Sequence, residues 1–209
     1  MEIELKYSIP DDMTADRIWE DPQLLAWEEE DSREKVAMKA AYFDTDDMVL
    51  SHHDIAFRIR KEGSRIVASL KWGGKNDGAL FQRQEINVPV DDEACFMMPS
   101  PQLFKESDIG KQIIDLIAGR RLDCIVEMSF MRRRFRIDKD DAIIEVSIDN
   151  GEIITDKGNE TISEIEFELF SGEQDVLTEL GKELAEKYQL SPGLSSKYKR
   201  GLTLLGLAR

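Results

Sequence analysis

Charged side chains recur two positions apart in segment after segment of this sequence. Glu2, Glu4 and Lys6 share one phase of alternation, as do Arg58 and Arg60, Arg83 and Glu85, and Glu145, Ser147 and Asp149. Lys71 shares its phase with Ser69, while Glu164, Glu166 and Glu168 make a row of three carboxylates. On an extended strand residues i and i+2 point to the same face, so each group sits side by side. Like charges placed that way repel, and a face carrying such rows needs a partner that relieves the repulsion. Arginine and lysine rows suit phosphate oxygens, which accept charge-assisted and, from arginine, bidentate hydrogen bonds. Carboxylate rows suit Mg2+ or Mn2+, hard cations that take oxygen ligands and bridge protein carboxylates to phosphates. Together the rows predict a site for a metal–polyphosphate complex.

The elements that must position these rows read as strands. Ile3, Leu5 and Tyr7 alternate with the polar residues of 2–9, and similar stretches follow at 35–44, 55–62, 65–73, 80–90, 124–137, 142–149 and 162–170. Turn signals separate them at Glu62-Gly63-Ser64, Asp140-Asp141 and Asp149-Asn150-Gly151. Helical spacing is confined to 101–120, through Leu103, Phe104, Ile113, Ile114 and Ile117, and to 173–188, through Val176, Leu177, Leu180, Leu184 and Tyr188. A short helix is expected near 14–27. With neither a repeat nor a linker, 1–209 reads as a single domain in which a helix separates two halves of one sheet. The charged faces either meet bulk water or line the interior of a closed barrel; taken together, the rows favour the barrel.

Composition narrows the function classes. Of 209 residues, 41% are hydrophobic and 34% charged, which excludes a disordered chain. No apolar run reaches the ~18–20 residues that cross a bilayer. The 28 basic and 43 acidic residues leave a formal charge of −15, a field that repels nucleic acid and anionic membranes. That net sign does not forbid a basic interior, because a focused cleft can carry the opposite sign locally. His52 and His53 are the only histidines, too few for a His-ligated zinc, so any metal sits on carboxylates. Cys95 and Cys124 lack CxxC spacing and the opening MEIELKY is not leader-like, so a cytoplasmic location is expected.

The motifs also occur in a recognisable order. Glu2-Ile-Glu-Leu-Lys6 resembles the ExExK signature of the CYTH superfamily, the triphosphate tunnel metalloenzymes. It is followed by Tyr42-Phe43-Asp44-Thr45, Ala56-Phe57-Arg58-Ile59-Arg60, Leu70-Lys71, Gln82-Arg83-Gln84-Glu85, Glu145 to Asp149, Glu164 to Glu168 and Ser196-Lys197-Tyr198. The resemblance implies an α+β fold: a closed eight-stranded antiparallel β-barrel with helices packed outside and substrate along its axis. It assigns Glu2, Glu4, Glu166 and Glu168 to divalent-metal binding, and Lys6, Arg58, Arg60, Lys71, Arg83 and Lys197 to the phosphates. Alternation allows either Arg132 and Arg134 or Arg133 inside; we take the first pair. Glu85, Glu145 or Asp149 is expected to position the attacking water. Glu85 belongs to an ExE pair in the family, whereas this chain has Asn87 at the second place.

The expected activity is metal-dependent hydrolysis of inorganic triphosphate to pyrophosphate and phosphate. That substrate rests on the stretch from Trp72-Gly73-Gly74 to Arg83, which resembles bacterial triphosphatases; some carry a further C-terminal helical domain, for which a chain ending at Arg209 leaves no room. Rival readings are cyclisation of ATP, hydrolysis of thiamine triphosphate, a noncatalytic polyphosphate- or nucleotide-binding module, and an acidic protein-interaction barrel. The expected partner is a small triphosphate, not nucleic acid or membrane; monomer and homodimer both remain open. Simpler roles are assigned to several residues: Tyr42, Phe43, Phe96, Met97 and Met98 to packing, Asp44 to a turn, Glu164 to solvent, and His52 and His53 to a surface turn.

Overall fold

The computed structural model describes residues 1–207. Every long strand runs antiparallel to both neighbours: β1 (Glu2–Ser8), β2 (Glu34–Asp44), β3 (Ile55–Glu62), β4 (Arg65–Asp77), β5 (Leu80–Val90), β6 (Asp123–Lys139), β7 (Ala142–Thr155) and β8 (Gly158–Ser171). Their order is β5-β4-β3-β2-β6-β7-β8-β1, and β1 pairs again with β5 from Glu2↔Arg83 to Leu5↔Leu80. That last pairing closes an eight-stranded barrel. A two-residue strand, β9 (Ser191–Pro192), adds to β1 beyond it, at Tyr7 and Ser8.

The helices are α1 (Asp12–Trp19), α2 (Pro22–Ala26), α3 (Val49–His52), α4 (Asp108–Ile117), α5 (Gln174–Tyr188) and α6 (Lys197–Leu205). Helices α1, α2 and α5 cover the outward apolar residues of β1, β6, β7 and β8, including Leu5, Phe135, Val146 and Phe167. Helices α3 and α4, with two 3-10 turns, cover Phe43, Phe57, Ile59 and Leu70 on β2–β4. Helix α6 departs from the expectation that helices lie outside. Its Tyr198, Leu202 and Leu205 pack on Ala40, Tyr42, Met128, Phe130 and Ile162. Phe130 and Ile162 share the alternation phase of Arg132 and Glu164, so α6 seats against the barrel's inward-facing side chains.

Other expectations need correction. Asp149-Asn150-Gly151 is not a turn: β7 continues to Thr155, and the chain reverses before β8 at Gly158. A Cβ on Gly151 would lie 2.3 Å from Ser129 O, so the glycine permits close strand approach rather than a reversal. Glu164 therefore lies mid-strand and buried, not at a solvated strand start. The stretch 101–120 is broken, because Ser107 caps a fresh helix by accepting from Gly110 N at 3.0 Å. Likewise 14–27 is split where Asp21 caps α2 ahead of Pro22. Met97 and Met98 are 84% and 73% exposed rather than core, since in the turn at Glu93–Phe96 only Cys95 and Phe96 reach the apolar cluster.

Gly151→Ala is expected to destabilise the protein by about 1–3 kcal/mol, because the added methyl meets backbone that cannot yield. An unchanged urea midpoint for the variant would contradict this account of the β6–β7 contact.

Candidate active site

Closure sets the inward residues in cross-strand register. Glu4 on β1 faces Glu168 on β8, which faces Glu145 on β7, so three carboxylates stand abreast. The next inward row is Lys6, Glu166 and Ser147; beyond it come Ser8, Glu164, Asp149 and Arg132. On the opposite wall Arg58, Ser69 and Asn87 are neighbours on β3, β4 and β5, and Lys71 faces Glu85. A cavity of about 80 Å³ is lined by Glu2, Glu4, Lys6, Arg58, Arg60, Lys71, Arg83, Arg132, Glu166, Glu168 and Lys197. The barrel thus brings eleven of the expected site residues around one space. Arg134, Glu85, Glu145 and Asp149 are absent from its lining.

One set of charges is internally satisfied. Arg132 grips Asp149 bidentately, Nε to Oδ1 and Nη2 to Oδ2 both at 2.7 Å, and reaches Glu166 at 2.6 Å. Lys197 lies 2.7 Å from Asp149 and 2.9 Å from Glu166 and also bonds Glu164. Lys6 lies 3.0 Å from Glu166 and 3.3 Å from Glu4. Burial favours a protonated Glu166, yet Lys197, Lys6 and Arg132 hold its carboxyl well below the ordinary range. Asp149, Glu164 and Glu166 stand close enough to share a cation, and the side chains of Lys197, Lys6, Arg132 and Arg200 already supply that charge. Asp149 is fully buried with both oxygens engaged, which leaves it no freedom to position water.

Two other groups are not fully satisfied, although Arg60 also pairs with Glu62. Burial, then Glu2, Glu4 and Glu145, push the Glu168 carboxyl up to about 8 against the opposing pull of Lys71. Carboxylates standing abreast offer hard oxygen donors of the kind a divalent cation takes. Across the tunnel, Arg58 Nε and Arg60 Nε are buried without hydrogen-bond partners. Arg60 stands between Ala40 and Val67 in register, and burial followed by the charge of Arg58 brings its guanidinium down to about 10. Lys71 bonds Glu2 at 2.6 Å and lies 3.4 Å from Glu85, which is also 3.4 Å from Arg58. Arg132 and Arg134 point inward, Arg134 pairing with Glu34 and lying 3.6 Å from Glu145, whereas Arg133 reaches outward to Asp16 at 2.6 Å.

Sequence reasoning missed the aromatic wall. Tyr42 stacks on Tyr198 with centroids 4.6 Å apart, and both line the cavity beside Met128 and Phe130. The available signal was Ser196, which caps α6 by accepting from Lys199 N and so aims Lys197 and Tyr198 inward. Asp44 does fix the turn expected of it, accepting from Leu50 N at 2.9 Å and Ser51 N at 2.8 Å. Ser51 Oγ donates to the same carboxylate and stands 2.8 Å from Tyr198 Oη, tying α3 to the tunnel wall. A second cavity, about 400 Å³, shares Ala56, Lys71, Arg83, Ser196 and Tyr198 with the first, so the tunnel opens into it.

The eight strands thus close a barrel in which acidic and basic side chains converge on one internal cavity, a charged tunnel. The CYTH domain profile matches residues 1–202, and the chain belongs to the CYTH family. It is 29% identical over 208 residues to an inorganic triphosphatase of Haemophilus influenzae, covering 97% of this chain and 54% of that protein. The chain therefore spans about half the length of that curated relative. Among solved structures it resembles HpAC1 from Hippeastrum, described as a putative adenylyl cyclase with a dominant triphosphatase activity. The TM-score is 0.70 at 19% identity, covering 97% of this chain and 96% of that one. A putative adenylate cyclase from Bacillus halodurans aligns with TM-score 0.56 at 19% identity over 94% of each chain. These structural likenesses bear on the fold.

Because the folded-state pKa of Glu168 is raised, the folded protein holds a proton that the unfolded chain releases. The stability of the metal-free protein should therefore fall as pH rises from about 4.5 towards 8. Glu168→Gln, melted in EDTA, is expected to gain stability over the parent at pH 8, with the gap closing towards pH 5. A constant difference across that range would refute the crowding of this row.

Proposed function

We propose that the tunnel hydrolyses inorganic triphosphate to pyrophosphate and phosphate, using Mg2+ or Mn2+. The observation that carries this reading is the presence, in one cavity, of a carboxylate row crowded enough to take a cation and of two arginines whose buried Nε donors lack an acceptor. A metal–triphosphate complex supplies both. Glu2, Glu4 and Glu168 would hold the ion, with Glu166 anchoring Lys6 and Lys197 beside them. A bound divalent ion of this kind neutralises phosphate charge and acidifies water.

Phosphoryl transfer demands positioning and charge stabilisation more than covalent chemistry from the protein. Arg58, Arg60, Lys71 and Arg83 would grip the phosphate oxygens and absorb charge on the departing pyrophosphate; Lys6, Arg132 and Lys197 bound the far side. Arg134, outside the lining, would add longer-range positive charge through its place near Glu145. Among the three carboxylates considered for water, Glu85 lies against Lys71 and Arg58 and is best disposed to orient one. Asp149 serves as a buried counter-ion. The Haemophilus relative supports the choice of inorganic triphosphate.

The open 400 Å³ recess beside Tyr198 favours a second reading, an organic triphosphate such as ATP or thiamine triphosphate with its ring in that space. A noncatalytic binding module would need only the basic wall, and the retained carboxylate row argues against it. We propose a single domain in the cytoplasm, a reading that the free thiols of Cys95 and Cys124 support.

Triphosphate, ATP, thiamine triphosphate and pyrophosphate, assayed for phosphate and cyclic nucleotide with each metal, should give fastest turnover on triphosphate. Cyclic nucleotide as the main product would replace this reading with the cyclase. Glu4→Gln is expected to lower metal-dependent turnover at least a hundredfold while leaving the melting temperature near the parent's, in line with loss of charge stabilisation at a phosphoryl-transfer site. Parent-like rates in that variant would remove the metal assignment.

A further inference from the structure

Asn87 stands where the family pattern carries the second acid of an ExE pair, and the structure shows what the amide does there. Arg58, Ser69 and Asn87 are register neighbours on β3, β4 and β5. Arg58 Nη2 donates to Ser69 Oγ at 3.1 Å, and Ser69 Oγ donates to Asn87 Oδ1 at 2.6 Å. A hydroxyl has one hydrogen to give, and here it is directed away from the arginine, so its lone pair faces the guanidinium. Ser69 is fully buried, whereas Asn87 is exposed. Arg58 itself is only 7% exposed, and its Nε has no partner.

The relay therefore adds neutral contacts to an arginine whose Nη2 also lies 3.4 Å from the Glu85 carboxylate. A carboxylate at position 87 could accept the same hydrogen bond from Ser69 but would bring negative charge towards Arg58 and Arg60, competing with substrate phosphates. We propose that Ser69 and Asn87 are positioning residues that hold Arg58 in its pose while adding no negative charge to that of Glu85 beside it. They thereby make this wall selective for the more highly charged triphosphate over pyrophosphate. The inference rests on the proposed reading that the tunnel takes a phosphate chain.

Asn87→Asp separates charge from structure, because the two side chains have nearly the same shape and both accept from Ser69. Calorimetric titration with tripolyphosphate and with pyrophosphate, in EDTA at pH 7 so that no turnover intervenes, is expected to show tripolyphosphate affinity about tenfold weaker in the variant, the scale of a perturbed charged hydrogen bond. Pyrophosphate affinity should fall less, narrowing the preference, and the melting temperature should stay close to the parent's. In turnover the variant should raise KM more than it changes kcat. Ser69→Ala should weaken tripolyphosphate binding too, and Ser69→Thr, which keeps the hydroxyl, should restore it. Parent-like affinities and preference in Asn87→Asp overturn the inference, whether or not Ser69→Ala folds. A parent protein that binds no tripolyphosphate overturns the functional reading as well, so the two failures are distinguishable.

Discussion

Neighbouring strands of a closed sheet cannot turn their inward side chains away from one another, and here that geometry sets charge beside like charge. Glu4, Glu168 and Glu145 stand abreast across three strands, and Arg58 and Arg60 follow each other along one. In an open, solvated sheet such neighbours would be screened by water; inside a barrel they are not. The protein resolves part of the conflict with its own ions. Arg132, Lys197 and Lys6 face Asp149, Glu164 and Glu166 in a buried cluster, and deleting one member of such a cluster typically costs about 3–5 kcal/mol. What is left over is the crowding at Glu168 and the unpartnered Nε atoms of Arg58 and Arg60.

Apolar packing keeps those charges where they are. The outer faces of the strands are buried under α1, α2 and α5 on one side and α3 and α4 on the other, which fixes the phase of every inward residue. Helix α6 acts from within, seating Leu202 and Leu205 against the barrel's inner residues while delivering Lys197 to the ionic cluster and Tyr198 to the stack on Tyr42. The Asp44–Ser51–Tyr198 chain then links this helix to α3. Packing, polar satisfaction and charge placement thus meet on the short segment Ser196-Lys197-Tyr198.

Much of this was legible from alternation. The strands, the turn at Asp44 and the convergence of Glu2, Glu4, Lys71 and Arg58 follow from a period of two and from which residue types could not share a solvated face, whereas the phase of Arg132, Arg133 and Arg134 was left open by alternation and decided by the barrel. Helical spacing was less informative. Caps at Asp21 and Ser107 divided what looked continuous, and α6 went unforeseen because its apolar residues face a barrel interior otherwise expected to be polar. Gly151 misled because glycine marks both reversals and close strand approaches, and only the position of Phe130 and Ser129 distinguishes them.

By itself, the sequence determined which residues share a face and which charges oppose each other along a strand, because those relations are local and set by backbone periodicity. It could not say which carboxylates would be neutralised by lysine and arginine and which would be left crowded, since Lys197 meets Asp149 and Glu168 meets Glu4 only across strand pairings and helix docking. Glu166 and Glu168 are two residues apart on one strand, yet one carboxyl is held far below its ordinary range and the other is raised to about 8. Tertiary structure decided that difference, because the strength of an ionic interaction depends on distance and on the surrounding dielectric, and neither exists until the barrel is closed.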